Sequence, residues 1–166
     1  KNNIQIINLL LSQREIEIGD SFKNCSKLKQ VAIPSFITEL ENSAFEECTS
    51  LESIVIPSSV KKIGEKCFRN CTSLKEVKFE LPSLITELPE TAFSQCLSLT
   101  EINIPPTVTS LGQSLFFKCE SLEKVIIPPS VSEMAGNIFS YCFSLKEIEI
   151  PPLVTKINNF VFANCF

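Results

Sequence analysis

The chain has 166 residues, 44% of them hydrophobic, with 13 Phe, one Tyr, no Trp, no His and a formal net charge of −4. So much apolar content supports a continuous core and argues against disorder, while the acidic balance gives no electrostatic footprint for nucleic acid. The missing histidine removes the commonest general base and the commonest zinc ligand, and four glycines in all leave no glycine-rich phosphate loop, so no catalytic residue, cofactor or metal is expected.

The first stretch, Lys1 to Leu11, carries one positive charge and a short apolar run, interrupted by Asn2, Asn3, Gln5 and Asn8. No small-residue cleavage site follows, so a signal peptide is not expected. No apolar run in the chain reaches the roughly 18–20 residues of a membrane span. The chain starts at Lys1 rather than Met, and a trimmed piece of a longer protein is the expectation. Ile16-Glu17-Ile18-Gly19-Asp20-Ser21 resembles the end of the unit described next with one residue missing. Residues 1–21 are therefore expected to form a degenerate first coil or an N-terminal cap.

From Phe22 onward one pattern governs the chain. Phe followed three residues later by Cys occurs at Phe22, Phe45, Phe68, Phe93, Phe116, Phe139 and Phe162, in steps of 23, 23, 25, 23, 23 and 23 residues. A fixed period of this size marks a solenoid. Three residues after the Cys comes Leu28, Leu51, Leu74, Leu99, Leu122 or Leu145. An apolar pair on alternate positions follows, as in Val31/Ile33 and Ile148/Ile150, and Pro34, Pro57, Pro105, Pro128 and Pro151 close it. Alternation predicts a half-buried strand, which the proline ends because it has no N–H to give a ladder. Ile63-Gly64 and Leu111-Gly112 predict a second turn, and a short helical turn is expected through Ala44–Glu47. Each unit thus makes one coil, and its strand pairs in parallel with the next coil's strand about 4.8 Å away. The third unit carries two extra residues, Glu80 and Leu81, just after its strand, which predicts a bulge or longer turn.

Eight cysteines admit disulfides, metal or packing. Seven of them fall in one column, where side chains point the same way. Their β-carbons then stay about 5 Å apart, beyond the roughly 3.5–4.5 Å of a disulfide, and a row does not make a tetrahedron for zinc. Small, buried, weakly donating thiols are the expected reading, for Cys67 in its separate column too. Ser50, Ser73, Ser98, Ser121 and Ser144 recur before the Leu. Five copies without a histidine suggest hydroxyls capping backbone groups rather than a nucleophile.

The unit, close to A-F-x-x-C-x-S-L-x-x-V-x-I-P-x-S-V-x-x-I-G, resembles the BspA-like leucine-rich repeat family. AFEECTSLESIVIPSSVKKIGEKCF, Ala44–Phe68, is a very close match. The resemblance runs from Phe22 to Phe166 and implies a leucine-rich-repeat solenoid of about six to seven coils, with a parallel β-sheet on one face and short turns or single helical turns on the other. Departures are the Glu80-Leu81 insertion and Phe36 where Ser is usual. Members are commonly surface-exposed proteins of bacteria and protozoa, some of them adhesins, so the resemblance implies a cell-surface setting and a protein ligand. It says less about function than about fold.

Three outward columns follow from the alternation. Lys29, Glu52, Lys75, Thr100, Glu123 and Lys146 form a nearly alternating charge ladder. Gln30, Ser53, Glu76, Glu101, Lys124 and Glu147 form the second column, and Ala32, Val55, Lys78, Asn103, Ile126 and Glu149 the third. The latter two are the expected protein-binding residues, with Val55 and Ile126 as outward apolar side chains; the loops around Glu80-Leu81 are the alternative place. A recognition arm of a longer multidomain enzyme or signalling protein, and a plain structural spacer, are the competing functions. The last unit stops four residues after its Phe without a polar cap, so an end-to-end contact or further chain is expected there.

Overall fold

The computed structural model describes residues 16–18 and 20–165, and the side chains of 21–165. The expected cap over residues 1–21 lies mostly outside them. Its described end, β1 (Ile16–Ile18), pairs in parallel with β2 (Ile37–Leu40). A 3₁₀ turn at Asp20–Phe22 then leads into the first repeat.

The chain winds as a parallel β-solenoid with two kinds of strand per coil. The longer ones are β3 (Ser53–Ile56), β5 (Glu76–Phe79), β7 (Glu101–Asn103) and β9 (Lys124–Ile126). They form one parallel sheet in the order β3-β5-β7-β9, with the repeat's own register: Val55↔Lys78, Glu76↔Glu101, Asn103↔Ile126. The shorter ones are β4 (Lys62–Ile63), β6 (Glu87–Leu88), β8 (Ser110–Leu111) and β10 (Glu133–Met134). Ile63 and Leu111, expected to open a turn, are therefore paired strand residues, and the turn begins only at the glycine after them. At Gly64 a Cβ would lie 2.4 Å from the Asn42 nitrogen of the preceding coil, so only glycine tolerates this approach.

This second ladder is interrupted: β1-β2-β4 and β6-β8-β10 are separate sheets. One slot explains the break. Gly64, Gly112 and Ala135 each donate their N–H to the coil before, at Leu40, Leu88 and Leu111 (2.7, 2.8 and 3.0 Å). Pro89 occupies that slot between β4 and β6 and has no N–H to give. In the last coil Asn158 fills the slot, and its side-chain Nδ2 donates to Met134 O at 2.6 Å.

The third side of the coil is not helical. Two residues before and two after Phe45, Phe68, Phe93, Phe116 and Phe139, the backbone turns left-handed: Ser43 and Glu47, Lys66 and Asn70, Thr91 and Gln95, Ser114 and Lys118, Asn137 and Tyr141 all have φ near +60°. Such a conformation costs about 1–2 kcal/mol for an L-residue. The gain is a third ladder. Ser43, Phe45 and Glu47 N–H donate to Glu65, Cys67 and Arg69 O of the next coil, at 2.9, 2.8 and 2.9 Å. The N–H groups between them close i→i−3 turns, such as Glu46 to Ser43 and Cys48 to Phe45. The expected helical turn is thus replaced by reversals that aim alternate N–H groups along the stack.

Side chains fill the interior in columns. Phe22, Phe45, Phe68, Phe93, Phe116, Phe139 and Phe162 stack ring on ring, with centroids 5.2–5.9 Å apart. Leu51, Leu74, Leu99 and Leu122 are wholly buried beside them. The expected strands at Val31-Ala32-Ile33 and around Ile148/Ile150 do not form. The first position holds only a bond from Glu52 N to Lys29 O, the last an isolated Lys124↔Glu147 bridge. Alternation there still buries Ile33, so it reports side-chain cover without strand pairing.

Truncating one ring should break the column. Phe93→Ala is expected to destabilise the fold by roughly 3–5 kcal/mol, read as a fall in urea midpoint with unchanged slope. An unaltered midpoint would mean the ring column carries no packing energy.

Candidate functional site

All eight cysteines are free, and six are fully buried. Six of the seven column thiols donate to the carbonyl of the Phe one coil back: Cys48 to Phe22, Cys71 to Phe45, Cys96 to Phe68, Cys119 to Phe93, Cys142 to Phe116 and Cys165 to Phe139, at 3.0–3.3 Å. The expected weak donors are therefore a fourth ladder, inside the core. Burial pushes the Cys48 and Cys142 thiols up to about 12 and holds Cys71, Cys96 and Cys119 well above the usual thiol range. Since the thiolate is the nucleophile, these sulfurs are inert. Among the described residues no three or more His, Cys, Asp or Glu side chains are grouped to hold a metal ion.

Of the repeated serines, Ser98 donates to Thr72 O at 2.7 Å. The more regular hydroxyl ladder sits elsewhere, just before the second strand. Ser59, Thr107 and Ser130 donate to Ile37, Ile85 and Val108 O of the preceding coil, at 2.6–2.7 Å. Phe36, Leu84 and Leu153 replace hydroxyls in that slot, which leaves Leu84 and Leu153 exposed.

Among the described residues one carboxylate is buried. Glu46, on the left-handed arc, binds Lys23 Nζ at 2.9 Å and Arg69 Nη1 at 3.0 Å, so one side chain clamps three consecutive coils. Burial alone would raise its pKa, but hydrogen bonds from Lys23 and Ser43 and the two positive charges outweigh that and lower it.

The outward sheet face is arranged as the alternation requires. Val55 (44% exposed), Lys78, Asn103 and Ile126 (49%) lie outward, as do Glu76, Glu101 and Lys124, with Ser53 half-buried. The register makes Ser53, Glu76, Glu101, Lys124 and Glu147 true neighbours across five coils. Gln30, Ala32, Glu147 and Glu149 are exposed but flank the sheet rather than belong to it. In the charge ladder the cross-coil ion pair is Lys146–Glu123 at 2.7 Å; Lys78 pairs instead with Glu76 on its own strand, at 2.8 Å.

Two apolar features lay outside the expected columns. Leu81 of the insertion is 67% exposed beside Val55. On the arc, Tyr141 makes edge contacts with Phe117 and Phe143, and Lys118 Nζ lies 5.6–5.7 Å from two of these rings. The first was signalled by the break in period. The second was hidden because these aromatics occupy slots that most other coils fill with polar residues.

The family model for the BspA type leucine rich repeat region matches residues 1–81 and 78–166, in six copies. Among solved structures, a T. pallidum leucine-rich repeat protein is similar at 34% identity and TM-score 0.77, over 81% of this chain and 64% of its own. A leucine-rich cell surface protein of Faecalibacterium prausnitzii is 36% identical, with TM-score 0.66, over 77% of this chain and 30% of its own. A leucine-rich repeat protein of Eubacterium ventriosum is 29% identical, with TM-score 0.74, over 82% and 37%. This chain thus spans less than two thirds of each of them. A search of curated proteins finds no match. Among the described residues, no helix is long and apolar enough to cross a membrane.

Two outcomes test the chemistry. At pH 8, alkylation of the native chain should label half-exposed Cys25 first and Cys165 more slowly, while the six buried thiols wait for unfolding; in denaturant without reductant all eight should react. Protected pairs in that second step would mean disulfides. For Glu46 the folded pKa lies below the unfolded value, so its stabilisation is present above the ordinary value near 4.5 and disappears as pH falls through the lowered one. Glu46→Gln should therefore lower the urea midpoint at pH 7 and make little difference at pH 2; an equal loss at both would place the effect in shape rather than charge.

Proposed function

This chain belongs to the BspA-type leucine-rich repeat family, and we propose that it is a non-catalytic module that binds a protein partner through its outward sheet face. The observation that carries the reading is Val55 and Ile126, half exposed on a sheet whose inward side is already filled. They stand three coils apart, about 14–15 Å at the strand spacing, within the roughly 800 Å² that one partner covers on a standard interface. Ser53, Glu76, Lys78, Glu101, Asn103 and Lys124 on the sheet, with Gln30, Glu147 and Glu149 flanking it, would supply the polar rim, and Ala32 would extend its apolar part. Likeness to a cell surface protein of F. prausnitzii supports a surface setting, with adhesion as the finer reading.

The test starts from partners captured on the purified chain and identified by mass spectrometry. Val55→Glu with Ile126→Glu should leave the circular dichroism and melting temperature unchanged, since neither side chain is in the core. Binding should weaken by at least about tenfold, or ~1.4 kcal/mol, because a partner would have to bury unpaired charge. A double variant that folds and binds like the parent places the site elsewhere.

A further inference from the structure

We infer that the hollow beside the Glu80-Leu81 insertion receives a partner segment presenting one large apolar side chain flanked by lysine or arginine. The inference rests on the sheet-face reading and narrows it to one place and one chemistry. The hollow encloses about 370 Å³, and Val55, Lys78, Phe79, Leu81, Pro105 and Pro106 line it. It lies in mid-stack, so the coils on both sides fix its walls. Its lip is anchored: Glu80 N–H donates to Ile56 O at 2.9 Å, and Ser58 N–H donates to Glu80 Oε2 at 3.2 Å. Leu81 follows this anchored residue, lines the hollow together with Val55 and stays 67% exposed. An apolar side chain between them would remove both from water, and the sheet supplies nothing else at this point to do so.

The rim decides the flanking charge. Lys78 already pairs with Glu76. Among the described residues Glu80 meets a backbone N–H but no cation within 4.0 Å. Of the two charged residues that line the hollow, Lys78 is already neutralised by Glu76 and Glu80 is not paired with a cation, which leaves the rim acidic. A basic neighbour on the incoming segment is attracted there and an acidic one repelled, which selects the partner by charge as well as by shape. The two inserted residues supply both parts: Leu81 the apolar lip, Glu80 the charge.

The experiment is a ¹⁵N chemical-shift titration with three synthetic pentapeptides: acetyl-Gly-Lys-Leu-Lys-Gly-amide, its serine-for-leucine analogue, and its glutamate-for-lysine analogue. The first should give saturable shifts at Val55, Lys78 and Leu81 with millimolar affinity, weakened several-fold by added salt. The other two should shift these amides little. Leu81→Ser and Glu80→Gln should each weaken the first peptide several-fold without changing the circular dichroism; the second variant keeps an acceptor for Ser58 while removing charge. Equal binding of the acidic peptide, shifts confined to other residues, or no saturable shift would overturn the inference. A captured partner separates the two readings: binding lost with Ile126→Glu but untouched by Leu81→Ser and Glu80→Gln overturns the hollow and spares the sheet face, whereas binding indifferent to all three removes both.

Discussion

A coil of 23 residues has no inside of its own, and everything in this chain follows from that. Its Phe, Leu and Ile side chains find cover only from the coils above and below, and its backbone groups find partners only there. The inter-coil hydrogen bond is therefore the interaction on which the rest depends. Longer strands, shorter strands and the left-handed arc each supply a ladder along the same axis, and the thiols add one inside the core. The arc is the telling case. Its φ values near +60° at residues such as Glu47 and Lys66 are unfavourable for any isolated turn. They persist because they aim N–H groups at the next coil's carbonyls, where buried polar groups must be satisfied.

The ladders also explain why particular slots resist change and others do not. A residue that packs inward serves two neighbours at once, so Phe, Cys and Leu recur in every coil. The slot after the second strand must give an N–H along the axis, and where Pro89 cannot, the ladder parts. Outward slots answer to no neighbour in this way. They are free to carry charges, hydroxyls or the apolar Val55 and Ile126, and a solenoid's binding surface is drawn from such positions.

Side-chain periodicity is what a sequence displays, and so the columns were legible. Phe45, Cys48 and Leu51 announce the core by spacing alone, and the alternation places Val55 and Ile126 outward as observed. Backbone pairing leaves a fainter trace. The second ladder at Lys62–Ile63 is two residues long, too short for a period, and reads as a turn. The arc reads as helix because Ala44-Phe45-Glu46-Glu47 is good helix sequence. Asn24, Asn70, Asn137 and Asn164 at left-handed positions were the available signal, since Asn tolerates that region better than most residues. Val31-Ala32-Ile33 shows the converse. Its alternation reports which side chains are covered, not whether the backbone is paired. The hollow beside Leu81 was announced only as a break in period, because two extra residues say where a loop goes but not what it leans against.

The central claim is that the arc is bonded along the stack as firmly as the sheet, so the coils hold on all sides. Amide hydrogen exchange, resolved by residue, tests this most directly. The account predicts that the amides of Phe45, Glu47, Phe68, Asn70, Phe93 and Phe116 exchange only through global unfolding, as slowly as those of Ile54, Val77 and Ile102 in the sheet. Arc amides exchanging at the rate of an exposed loop, while the sheet stays protected, would contradict it and leave a solenoid held by its strands alone.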